Sequence, residues 1–138
     1  MPETQPSATL PRDTRVLAIG FHPRALDFGR MPEGVDEQTL TARIEAGNAG
    51  LREAGYDVVL CLLEDASPEA AESAVRKHLA EQSFGLAVIG GGVRMLPEHT
   101  LTFERLVNVL TETAPGIRLC FNTAPDGTLD AIRRWISE

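Results

Sequence analysis

Four stretches of the chain are almost unbroken in apolar, largely β-branched residues: RVLAIGF at 15–21, DVVLCLL at 57–63, LAVI at 86–89 and IRLCF at 117–121. A strand with one wet face alternates apolar and polar residues, whereas a continuous run suits a strand covered on both faces. The segments between these runs switch to helical spacing. Leu40, Ile44, Gly47 and Leu51 fall on one stripe, with Asp36 placed to cap the helix start. Ser67 as cap and Pro68 at the first helical position open a second helix. Its inner stripe is Ala71, Val75, His78 and Gln82, with Leu79 beside it. A third helix begins at Pro97 and turns Phe103, Leu106, Val107 and Leu110 inward, and a last one carries Leu129, Ile132 and Ile136.

The order is therefore βαβαβαβα. It predicts an α/β fold with an open parallel four-stranded sheet, right-handed crossovers and helices on both faces. The simplest strand order is 2-1-3-4, a trimmed flavodoxin-like or Rossmann-like arrangement in three layers. Residues 15–138 form a single domain in this reading, and residues 1–14, rich in proline and polar residues, form a flexible tail. The second and fourth strands are the edges. An edge this apolar in a small sheet invites pairing with a second copy, so a homodimer is expected.

Composition narrows the class. The chain has 138 residues, 43% hydrophobic and 24% charged, enough for one core. A net charge of −7 without a Lys/Arg run argues against a nucleic-acid partner. No apolar run approaches the ~20 residues of a membrane span, and the first residues lack a signal-like apolar stretch, so a cytoplasmic protein is expected. The two cysteines, Cys61 and Cys120, lie inside strand runs and read as small core residues. Three histidines without Cys or carboxylate at ligand spacing give no metal signature, and no cofactor is implied.

In an open parallel sheet, ligands bind beyond the carboxyl ends of the strands where strand order reverses, here between the first and third strands. The loop after the first strand, residues 22–35, is long against the usual length of about 2–6 and carries Phe28 and Met31. It reads either as a binding loop or as a cover for the sheet end or a neighbouring subunit. After the third strand stands GGGVR, in which Gly90, Gly91 and Gly92 offer backbone N–H groups to an anion or simply turn the chain. The dinucleotide fingerprint fails because Met95 occupies the third glycine position, and the Gly-Lys-Ser/Thr of a P-loop is absent. Arg94, with Arg24 and Arg30 of the long loop, would make a positive pocket for carboxylate or phosphate. Asp27, Glu33, Asp65 and Glu98 are alternative partners for those arginines.

His22 directly follows the first strand, in LAIGFHP, and Asp65 ends the adjacent one. A histidine–carboxylate pair of this kind holds a general base or a phosphate acceptor in one tautomer. The strand ending in Gly-x-His resembles the opening of the mannose-type sugar-transport phosphocarrier domains and of the small cobalt chelatases. That resemblance covers about seven residues, and Pro23 stands where those groups usually have glycine. It implies a phosphate-accepting or chelatase-like role for His22. His99, close to the glycines, and Asn122 and Thr123, at the end of the fourth strand, complete the candidate ligand-binding residues. Asn122 and Thr123 also fit an ordinary turn with Asp126 and Gly127.

Other users of this fold lack their chemistry here. Receiver domains need acidic residues after the first strand, where Phe21 and His22 stand, and flavodoxins need a Ser/Thr-rich phosphate loop there. No Gly-x-Ser-x-Gly elbow is present. Three roles follow: a binder of an anionic small molecule, a non-catalytic homodimeric scaffold acting through the long loop and a sheet edge, and a histidine-based phosphocarrier or chelatase-like domain.

Overall fold

The computed structural model of the chain describes residues 9–26 and 36–137. The candidates Asp27, Phe28, Arg30, Met31 and Glu33 lie outside these, as do residues 1–8 of the expected tail. Four parallel strands, β1 (Val16–Phe21), β2 (Val58–Leu63), β3 (Leu86–Ile89) and β4 (Arg118–Phe121), pair in the order β2-β1-β3-β4. Among the described residues, five α-helices join and cover them: α1 (Glu37–Ala54), α2 (Pro68–Glu81), the short α3 (Gly91–Arg94), α4 (Thr100–Thr113) and α5 (Thr128–Arg133). The open α/β sheet and its strand order are those expected from the apolar runs. Among the described residues, no helix is long and apolar enough to cross a membrane.

The caps explain where the two long connecting helices start. The Asp36 carboxylate accepts the N–H of Thr39 at 2.7 Å, and the Ser67 hydroxyl accepts that of Ala70 at 3.2 Å with Pro68 behind it. Gly55 ends α1 at φ 80°, a left-handed conformation that glycine adopts without a Cβ penalty.

Side chains alternate across each strand, so the core is divided by the sheet. On one face Leu17, Ile19, Phe21, Cys61, Leu63, Ala87 and Ile89 pack against Ala71 and Val75 of α2 and Leu106, Val109 and Leu110 of α4. Each large side chain buried in this way contributes about 1.5–3 kcal/mol. On the other face Val16, Leu86, Val88 and Cys120 pack against Leu51 of α1, Tyr56, and Ala131, Ile132 and Ile136 at the C-terminal end. This second cluster is filled mainly toward the amino ends of the strands. Toward their carboxyl ends it thins, since Leu51 is the only fully buried residue of α1.

The tail expected over 1–14 is corrected from Leu10 onward. Leu10 makes a parallel bridge with Ile136, its N–H donating to the Trp135 carbonyl at 2.7 Å and its carbonyl accepting from Ser137 N–H at 2.9 Å. The Arg12 guanidinium lies 3.7 Å over the Tyr56 ring and donates to the Ala54 carbonyl at the end of α1. A cation held against an aromatic face and a capped helix end fixes this segment, which composition alone marks as loose.

Candidate functional site

The parallel register lines up residues of neighbouring strands in rows. Ala18 pairs with Leu60 and Val88, and Gly20 with Leu62. Gly90 continues the second row, its N–H donating to the Ile19 carbonyl at 2.9 Å. Both rows face α1. At the centre of the sheet they present Ala18, Gly20 and Gly90, which have almost no side chain, so no described side chain fills the space below α1. A cavity of about 420 Å³ results. Its floor is those three residues and Val88, its outer wall Leu60 and Leu62, and its roof Leu40, Ile44 and Asn48 of α1. Gly91, Gly92, Asn122 and Thr123 close its end at the strand termini. The cavity lies where the strand order reverses, the position at which this architecture binds ligands. Ala18 and Gly20 remain partly exposed in the middle of the central strand because of it.

The three glycines do not form the loop expected of them. Gly90 is extended, at φ −69° and ψ 154°, and Gly91 begins the helical turn α3. None of the three has a positive φ, so free turning is not their purpose. Close approach is. A Cβ on Gly91 would lie 3.3 Å from the Thr123 carbonyl oxygen and 3.4 Å from that of Asn122, and one on Gly90 would lie 3.3 Å from that of Ile19. Gly92 has nothing within 4 Å of that position, and neither has Gly20. The first two glycines let β3 lie tightly between its neighbours, and Gly20 and Gly92 leave space open.

Asn122 locks this corner. It is buried; its Oδ1 accepts the Gly91 N–H at 2.9 Å and its Nδ2 donates to Thr128 Oγ1 at 2.8 Å. Its carbonyl accepts from Arg94 Nη2 at 3.0 Å. Both ends of its amide are occupied within the protein, so it acts as a brace, while Thr123 beside it is exposed at the cavity end. The Arg94 guanidinium lies 5.5 Å from the Phe121 ring centre, on the α4 side of the sheet, and does not line the cavity. Arg24 pairs at 3.8 Å with Glu64, both strongly exposed, a contact worth about 0–1 kcal/mol. Glu64 follows β2 and Asn122 follows β4, the two edges of the sheet. Three strand spacings separate them, on the order of 14 Å, so Arg24 and Arg94 do not converge.

The expected His22–Asp65 pair is corrected as well. His22 Nδ1 accepts the backbone N–H of Arg24 at 3.1 Å, and Asp65 Oδ1 accepts that of Ser67 at 2.8 Å, with no hydrogen bond between the two residues. Each is drawn to the orphan N–H of a turn in its own loop. With Nδ1 accepting this bond, Nε2 is the ring nitrogen that the turn leaves unengaged. His99 packs edge-on against Phe21 at 4.6 Å, on the α2/α4 side. Burial raises the thiol of Cys61 to about 11 and that of Cys120 to about 12, which keeps both protonated and inert.

Of the candidates, Gly90, Gly91, Gly92, Asn122 and Thr123 come together at the cavity, whereas Arg24, Arg94, His22, Asp65 and His99 lie apart from it. The residues that sequence reasoning passed over are Asn48, Leu60 and Leu62. Leu60 and Leu62 remain 40% and 38% exposed, large for strand residues inside an apolar run. Asn48 stands one turn beyond Ile44 on the stripe of α1, a polar residue at an apolar position, and that was the available signal. No protein-family profile, curated protein or solved structure matches this chain.

Proposed function

We propose that the chain binds a small molecule whose apolar body lies in the cavity between α1 and the carboxyl ends of β1 and β3. The observation that carries this reading is the lining: among the described residues that surround about 420 Å³, none is charged. That volume falls within the range of ligand sites, and a mainly apolar wall with a few polar groups at one end is their usual chemistry. An anion-bearing ligand of the kind suggested by the glycines and arginines would keep its charge at the mouth, beside Gly92 and Thr123, with the apolar remainder inside. Among the described lining residues a compact anion would find no charged partner.

A thermal-shift screen of the wild type and Gly20→Val tests this, with inorganic phosphate, sugar phosphates, nucleotides, flavins and neutral aromatic compounds as probes. At one hundred times its dissociation constant a ligand stabilises the native state by about 2.7 kcal/mol. For a domain of this size that is on the order of 5–10 °C. Shifts from molecules with an apolar body, lost in Gly20→Val, support the reading. Shifts from inorganic phosphate alone, or shifts unchanged in Gly20→Val, refute it.

A second reading, assembly of two copies, is favoured by one observation: Leu60 and Leu62 are exposed on an edge strand. It predicts a sedimentation coefficient that rises with protein concentration and ceases to do so in Leu60→Lys.

A further inference from the structure

Asn48 is the polar residue of the cavity roof, and its surroundings give it no structural task. It follows Leu40 and Ile44 at intervals of four on α1, so all three face the sheet. Asparagine is a poor helix former because its amide competes for nearby backbone groups. The other mid-helix asparagine does this: Asn108 donates to the Glu104 carbonyl at 3.0 Å. Asn48 does not, and among the described residues its amide has no hydrogen-bond partner. The neighbouring lining amide, Asn122, is by contrast engaged at both ends. Asn48 also lines a smaller neighbouring cavity of about 210 Å³, which shares Leu60 with the first and carries Arg52.

An amide placed on the roof of a cavity whose described lining carries no charge presents a donor and an acceptor side by side in one plane. On this basis, and resting on the binding reading above, we infer that Asn48 is the specificity-determining residue of the site. The ligand is a neutral, mainly apolar molecule with a donor and an acceptor on one edge, as in a carboxamide or lactam. A site built to pair with such an edge discriminates against analogues that lack half of it, because the unmatched polar atom is left desolvated.

The test compares three probes of one shape by isothermal calorimetry: 2-naphthamide, 2-acetylnaphthalene, which lacks the donor, and anionic 2-naphthoate. The wild type is expected to bind 2-naphthamide about three- to tenfold more tightly than 2-acetylnaphthalene, a ratio of the size one net hydrogen bond gives, and to bind 2-naphthoate most weakly. In Asn48→Leu and Asn48→Ala, both better helix formers than asparagine, the preference for 2-naphthamide over 2-acetylnaphthalene should vanish. The side-chain NH2 signals of Asn48 should shift on adding 2-naphthamide. If Gly20→Val blocks the probes but the wild type shows no preference, or both Asn48 variants keep it, the inference falls and the binding reading stands. If no probe binds the wild type, or Gly20→Val binds them unchanged, the binding reading falls and the inference with it.

Discussion

Replacing Asn122 by alanine should remove the brace that holds the glycine turn against the end of β4. Two hydrogen bonds disappear, one from the Gly91 N–H at 2.9 Å and one to Thr128 Oγ1 at 2.8 Å. Gly91 is buried, and its donor loses its acceptor. Leaving a buried N–H unsatisfied costs about 1–3 kcal/mol, and an ordinary hydrogen bond of the Asn122–Thr128 kind adds about 1 kcal/mol. The expected loss is therefore about 2–4 kcal/mol, or on the order of 10 °C in melting temperature. Urea unfolding followed by the fluorescence of Trp135, the single tryptophan, reads it directly. Thr128→Val isolates the second bond. In a double-mutant cycle the coupling between the two positions should be about 1 kcal/mol. A loss below about 0.5 kcal/mol for Asn122→Ala would refute the claim that this side chain, rather than the glycines themselves, fixes the corner.

Three further outcomes are expected. Gly92→Ala should stabilise the protein by up to about 1 kcal/mol in urea unfolding, since the position is helical and open, while Gly91→Ala should destabilise it because its Cβ would press on two backbone oxygens. Cys61 and Cys120, raised by burial to about 11 and about 12, should stay silent toward a disulfide reagent at pH 8 until urea unfolds the chain, and rapid native-state labelling would contradict that. Glu72 is held below its ordinary pKa by hydrogen bonds from Arg76 within α2 and then from Arg105, the latter tying α2 to α4. A depressed carboxylate contributes stability above its unfolded value of about 4.3 and loses it as pH falls through the lower folded value. The melting-temperature gap between wild type and Glu72→Gln should thus be open at pH 7 and close in acid, and a gap independent of pH would contradict the ion-pair account.

The strand cores and helix starts were legible because each is written in local chemistry. An unbroken run such as LAVI is buried at every position, and Asp36 and Ser67 cap the helices at the residues where they stand in the chain. The cavity was not legible, because it is made of missing side chains that only register brings together. Gly20 and Gly90 are far apart in sequence and adjacent in one row of the sheet. The arginines misled for a related reason. Their charge is evident in the sequence, but which face of the sheet each side chain takes depends on partners such as Asn122 and Glu64. His22 and Asp65 end adjacent strands as expected, yet the nearest backbone N–H outcompetes the more distant side chain for each.

The binding proposal requires the space above Ala18, Gly20 and Gly90 to be a ligand site. The most direct measurement is an amide chemical-shift titration of ¹⁵N-labelled protein with 2-naphthamide, run in parallel on Gly20→Val. The account predicts that the amides of Ala18, Gly20, Leu62 and Gly90 shift together and saturate, that Val75 and Leu110 on the opposite face stay still, and that the variant, folded as well as the wild type, shows none of it. Shifts centred on the α2/α4 face, or a response that survives Gly20→Val, would contradict it.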